Sequence, residues 1–180
     1  MITCDTYSVS RPYGLGALAW RPLLVHAVHV DAGDIQRIGS SKVGVAHCPR
    51  SNARLSDGMA PVAEFLARGI PVGLGTDSLA SVPTLDLWDE MRAAGQAGGL
   101  TPSQVLEMAT LGGARALGLA DQVGSLTIGK RADLIAVSAR VVAATDPVGS
   151  LLAGTRGTDV VLSLVDGQVR HHRLAEVPCV

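Results

Sequence analysis

An α/β fold with a parallel sheet, followed by a smaller strand-rich region, is the class this 180-residue sequence predicts. Three observations lead there. Short apolar runs that end in a polar residue recur at Leu23–His26, Val43–His47 and Val72–Asp77. Segments with helical spacing and helix-start signals separate them, and alternating strand and helix implies parallel strands joined by right-handed crossovers. After about Asp121 the helical spacing gives way to short strand-like runs with glycine turns.

The elements follow in order. Residues 1–20 read as an irregular lead-in, with Tyr7–Tyr13 rich in Ser, Arg, Pro and Gly and Gly14–Trp20 the end of a helix. Arg21–Val30 reads as the first strand. Asp31 is a candidate N-cap, with Asp34 adding negative charge to the first turn, Ile35 and Ile38 on an apolar face and Gly39 closing the helix. Lys42–His47 is the second strand, and Cys48-Pro49-Arg50-Ser51-Asn52 a loop that Pro49 keeps out of helix.

Pro61 suits the first turn of a helix with Val62, Phe65 and Leu66 on one face and Gly69 at its C′ position. Ile70–Gly75 is the third strand. Thr84–Ala97 is a helix with Leu85, Trp88 and Met91 on one side. Thr101-Pro102-Ser103-Gln104 has capping-box spacing. Gly112-Gly113 is read as a break before a helix over Ala114–Leu119. Gly124–Gly129 and Lys130–Ser138 read as strands, Val148–Ala153 as a helical turn, and Val160–Val165, Asp166-Gly167, Gln168–His172 as a hairpin. The domain boundaries expected are 1–20 lead-in, 21–120 α/β region, 121–172 strand region and 173–180 tail.

Composition narrows the function. The chain is 47% hydrophobic and 17% charged with net charge −1, an ordinary globular balance that can bury a core. That charge gives no footprint for nucleic acid or an anionic membrane, and 3% aromatics offer few stacking platforms. No apolar run approaches the ~20 residues of a membrane span. Met1–Ser10 lacks the basic and apolar blocks of a signal peptide, so the cytoplasm is the expected compartment. Cys4, Cys48 and Cys179 form no CxxC pair and are expected as reduced thiols.

In a parallel sheet all C-terminal strand tips share one face, so His26, His47 and Asp77 converge there. Imidazole and carboxylate suit zinc or iron, and a metal-bound water loses a proton readily to a nearby carboxylate. Other readings stay open on spacing alone. A strand-end histidine is often a hydrogen-bonded structural residue, and Thr76-Asp77-Ser78 can be a helix cap. Gly73-x-Gly75-x-x-Ser78 has part of a phosphate-cradling turn, without its third glycine or its acidic partner.

Several motifs in order carry a resemblance: Leu24–Val30, Ala46-His47-Cys48-Pro49-Arg50-Ser51-Asn52, Leu74–Ser78, Leu87–Arg92 and Gly124–Ile135. From about Leu23 onward the sequence resembles the C-terminal half of the amidohydrolase superfamily. Within it, the likeness is to the metal-dependent deaminase and chlorohydrolase branch of adenosylhomocysteine/methylthioadenosine deaminases, guanine deaminases and triazine hydrolases. The resemblance implies a partial (β/α)8 barrel, with the three runs as strands six to eight, followed by part of a small β-sandwich. It implies that Asp77 binds a divalent metal, zinc ahead of iron, and carries the proton of the attacking water. His26 then touches the substrate or polarises the carbon under attack, and His47, Arg50, Asn52 and Ser78 are substrate-binding candidates.

The implied reaction is hydrolysis of a non-peptide carbon–nitrogen bond, the deamination of an aminated heterocycle or nucleoside-like small molecule. The family's His-x-His and His-x-x-Glu ligands do not occur in these 180 residues. About 120 residues of βα pattern also fall short of the ~250 of a full barrel. An N-terminal half missing from this chain, or supplied by another chain, is therefore expected, with a homodimer as the other partner reading. The alternatives are a non-catalytic remnant or interaction domain that keeps part of the fold and, more remotely, a small nucleotide-binding domain.

Overall fold

A computed structural model describes residues 14, 16–97, 99–138, 140 and 143–173. The lead-in over 1–13, the tail from 174, Cys4 and Cys179 lie outside the described residues.

β1 (Leu24–Val25), β2 (Val45–His47) and β3 (Val72–Leu74) form a parallel sheet in that order. Leu24 stands opposite Val45, and His47 opposite Leu74. The predicted strands are correctly placed but too long. β1 ends early because His26 and Ala27, at φ 68° and 48°, turn the chain out of the extended region. Ala17–Trp20 is a 3-10 turn.

Asp31 starts α1 (Ala32–Ser41) through a capping box, its carboxylate accepting from the Asp34 amide at 2.7 Å. Gly39 does not close this helix; Lys42 does, in the left-handed region at φ 54°. α2 (Pro49–Leu55) replaces the loop expected after β2. Proline at the first helical position lacks only an N–H that would be unpaired anyway, and its fixed φ suits the helix. The restriction it imposes falls on the preceding residue, and Cys48 is indeed non-helical at φ −120°, ψ 72°.

α3 (Val62–Ala67) buries Val62 and Phe65. α4 (Leu87–Ala97) buries Trp88 and Met91 but leaves Leu85 outside and exposed. α5 (Pro102–Met108) carries the predicted capping box, Thr101 with Gln104. α6 (Leu111–Ala116) runs through Gly112 and Gly113, which are not a break. A Cβ on Gly112 would lie 2.7 Å from the Val72 carbonyl oxygen, and one on Gly73 2.7 Å from Gly113 Cα. The glycines let α6 lie directly on β3 and outweigh their usual helix penalty. The core lies between the parallel sheet and α1, α3, α4 and α5, with Ile38, Val45, Phe65 and Val105 fully buried.

Gly124–Gly129 forms bends and turns rather than a strand. β4 (Leu134–Val137) follows, then α7 (Pro147–Gly154), a full helix where a turn was expected. β5 (Val160–Val165) and β6 (Gln168–His172) make the predicted hairpin, with Asp166 and Gly167 at φ 53° and 74°. These strands form an antiparallel sheet, β4–β5–β6. Its region is tied to the first one: Arg92 Nη1 donates to the Thr155 and Leu152 carbonyls, and the Gly157 amide to Asp86 Oδ2 at 2.9 Å. Among the described residues no helix is long and apolar enough to cross a membrane.

Candidate active site

Three strand ends deliver the polar groups. His26 follows β1, Ser51 and Asn52 sit in the helix that follows β2, and Asp77 lies just beyond β3. Parallel pairing puts these ends on one side. The His26 amide bonds to the Ala46 carbonyl and the Gly75 amide to the His47 carbonyl, both at 2.9 Å.

Asp77 is the centre. Its Oδ2 accepts from Ser51 Oγ at 2.6 Å and Ser81 Oγ at 2.9 Å, and lies 3.9 Å from His26 Nε2. The Ser51 hydroxyl, then that of Ser81, hold the carboxyl below its ordinary pKa, so it is ionised at neutral pH. Asp77 itself adopts φ 60°, a left-handed geometry uncommon for a residue other than glycine. No helix begins next to it, since α4 starts at Leu87. Thr76-Asp77-Ser78 is therefore not a helix cap, and the Gly73–Ser78 turn lacks the adjoining helix N-terminus of a phosphate cradle.

The other predicted residues divide. His26 Nδ1 is 2.7 Å from Asn52 Oδ1, which joins both to the Asp77 cluster. Ser78 is exposed, and its carbonyl accepts from Ser81 Oγ. Arg50 packs onto α4: its guanidinium lies 3.4 Å from both Asp89 and Glu90 and donates to Thr84. These contacts clamp α2 to α4, in place of an open substrate-binding position.

His47 is only 6% exposed and lines a cavity of about 320 Å³ with Asn52, Ala53, Met59, Val62 and Leu100. Burial first, then the neighbouring His26, lowers its pKa to about 4, so the ring is neutral. His47 Nδ1 and Asn52 Nδ2 are buried with no hydrogen-bond partner among the described residues. Cys48, beside them, is a buried free thiol whose pKa burial raises to about 11.

Sequence reasoning missed Ser51, Ser81 and Glu90 as parts of this site. Glu90 is fully buried; its Oε2 accepts from the Arg50 amide at 3.1 Å and so holds the start of α2. Burial pushes its carboxyl up, against the pull of Arg50. Ser51 stood inside a quoted motif, a signal that was available. Glu90 likewise stood inside the Leu87–Arg92 motif, whereas Ser81, four residues past Asp77 in a loop, had no spacing to mark it.

A parallel α/β sheet that gathers histidine, serine and carboxylate groups at its C-terminal strand ends has the layout of a strand-tip enzyme site. The chain belongs to the amidohydrolase family, whose sequence pattern matches residues 5–170. That match begins well before Leu23, the point from which the motifs are legible. It is 43% identical over 166 residues to a 5-methylthioadenosine/S-adenosylhomocysteine deaminase of Moorella thermoacetica, covering 86% of this chain and 39% of that one. It is 39% identical over 150 residues to an S-triazine hydrolase of Gordonia rubripertincta, covering 77% and 31%. The crystal structure of an adenosine deaminase from Xanthomonas campestris with bound zinc superposes with a TM-score of 0.85 at 29% identity, over 92% of this chain and 40% of that one. The chain thus spans about two fifths or less of the length of these relatives.

Proposed function

We propose that this chain is part of a hydrolase that deaminates an aminated heterocycle or nucleoside-like small molecule, with Asp77 and His26 at the reacting centre. In this reading the parallel sheet is an arc of a (β/α)8 barrel over 21–120, and β4–β6 belong to a small β-sandwich over 121–172. The observation that carries it is the meeting of Asp77 and His26 from different strand ends, with Ser51 and Ser81 fixing the carboxylate. The relatives named as deaminases and as a triazine hydrolase support the reaction and the substrate class.

The chain's own groups have assignable parts. Both serine hydroxyls fall on Asp77 Oδ2, so this oxygen is oriented while the carboxylate as a whole stays ionised and able to take a proton. His26 Nε2 faces the same space and can exchange a hydrogen bond with a bound molecule there. His47 and Asn52 line the adjoining cavity, which suits an uncharged ligand portion.

For the whole protein the reading includes a divalent metal, zinc ahead of iron, supported by the zinc in the Xanthomonas structure. The described residues do not fit such an ion by themselves. No group of three or more His, Cys, Asp or Glu is placed among them to hold one, whereas a catalytic zinc commonly takes about three protein ligands. No step is therefore assigned through the metal. The same observation favours a second reading, a non-catalytic remnant or interaction domain.

Co-expression with the part of the Moorella relative that lies outside the match separates the two readings. Ammonia release from 5′-methylthioadenosine, abolished by Asp77→Asn, supports the hydrolase. A well-folded mixture with no release from this substrate, S-adenosylhomocysteine or an aminotriazine supports the remnant.

A further inference from the structure

Asn52 is only 1% exposed and fixed within α2, its amide N–H donating to the Cys48 carbonyl and its own carbonyl accepting from the Asp57 amide, both at 3.0 Å. Its side-chain oxygen lies 2.7 Å from His26 Nδ1. A carbonyl oxygen can only accept, so the imidazole nitrogen must donate. His26 in turn is held by its backbone. It and Ala27 are consecutive non-glycine residues in the left-handed region, with amides bonded to the Ala46 and Val25 carbonyls at 2.9 Å. Such conformations persist only where the surroundings over-determine them, and they gather at functional sites.

We propose that Asn52 is a positioning residue: its Oδ1 keeps the His26 proton on Nδ1 and leaves Nε2 as the acceptor nitrogen facing Asp77. The same helical turn supplies Ser51 to Asp77 at 2.6 Å, so two successive residues of α2 set the states of both reacting groups. Substrate contact is the weaker role for Asn52. Its oxygen is taken by His26 and its nitrogen is buried, and neither His26 nor Asp77 lines the cavity that Asn52 borders. In that tautomer Nε2 is the accepting nitrogen, which suits a bound molecule or water that presents an N–H or O–H to it.

This inference rests on the Asp77–His26 reading for its consequence, but its test reads ring protons and not turnover. Long-range ¹H–¹⁵N correlation of the histidine rings in the ¹⁵N-labelled 180-residue chain, with the rings neutral, reports the tautomer directly. His26 is expected as the Nδ1–H form. Asn52→Ala abolishes that preference, Asn52→Asp retains it because a carboxylate also accepts, and Ser51→Ala leaves it in place. An Nε2–H tautomer in the unmodified chain, or an Nδ1–H form that survives Asn52→Ala, overturns the proposal. Should Asn52→Ala fail to fold, the unmodified chain and Asn52→Asp decide the matter between them. Loss of the deaminase activity argued above would leave this result standing.

Discussion

The two three-stranded sheets sit in the same chain and treat their surroundings oppositely. In the parallel sheet Val45 and Val72 are buried, helices cover the strands, and the polar ends are hydrogen-bonded to one another. In the antiparallel sheet every residue of β6 is exposed, Val169 to 59%, and Ile128, in the turns before β4, is fully exposed. β2 and β3 have their packing partners within the described residues, while Val25 of β1 is half-exposed. The antiparallel sheet presents apolar surface of the kind that marks an interaction face. The contrast teaches that the site cluster is held by bonds among its own residues, whereas the strand-rich region leaves Ile135, Val165 and Val169 open to solvent.

The sharpest way to break this comparison is a pair of truncations. Phe65→Ala, at a fully buried position under the parallel sheet, is expected to lower the unfolding free energy by about 3–5 kcal/mol. Val169→Ala is expected to change it by less than about 0.5 kcal/mol. Urea denaturation of both variants checks this, and equal losses would erase the distinction between the sheets.

Next in size is a pH effect confined to the first region. The pKa of His47 is lowered to about 4 from an ordinary 6.5, so below pH 6.5 the unfolded chain binds the extra proton first. Its contribution is complete above pH 6.5 and is lost progressively as the pH falls toward 4. The loss is on the order of 3 kcal/mol over that window. Denaturant midpoints at stepped pH should show this slope in the unmodified chain and a shallower one in His47→Gln. Identical slopes would place His47 outside the cluster's electrostatics.

The smallest expected effect on stability is in the strand-rich region. Leu126→Ser with Ile128→Ser should change stability by under about 0.5 kcal/mol while reducing self-association in sedimentation velocity. Unchanged association would show that this surface is not what drives contact between copies.

Local chemistry decided which elements were legible in the sequence. The Asp31 and Thr101 caps and the Asp166-Gly167 turn are set by neighbours within three residues, and all three stand as read. Pro49 and Gly112-Gly113 were misread because a breaker's effect depends on position and packing. Pro49 sits where a helix begins, and the glycines sit where α6 must touch β3. The strand tips bearing His26 and Asp77 were visible as apolar runs with polar ends. The roles of Ser81 and Glu90 were not, since they arise from through-space contacts that leave no period in the chain. The ion pairs of Arg50, expected as a substrate-binding residue, were not legible because Asp89 and Glu90 lie about 40 residues away.

The central claim is that this chain alone holds Asp77 ionised and oriented, through Ser51 first and Ser81 second. A depressed carboxyl pKa contributes stability that is present above the unfolded value and lost as the pH falls through the folded one. The direct measurement is a ¹³C NMR titration of the Asp77 carboxyl in the unmodified chain and in Ser51→Ala. The account predicts titration below the ordinary 3.8 in the former and a rise in the latter. An ordinary value that does not move when the Ser51 hydroxyl is removed would contradict it.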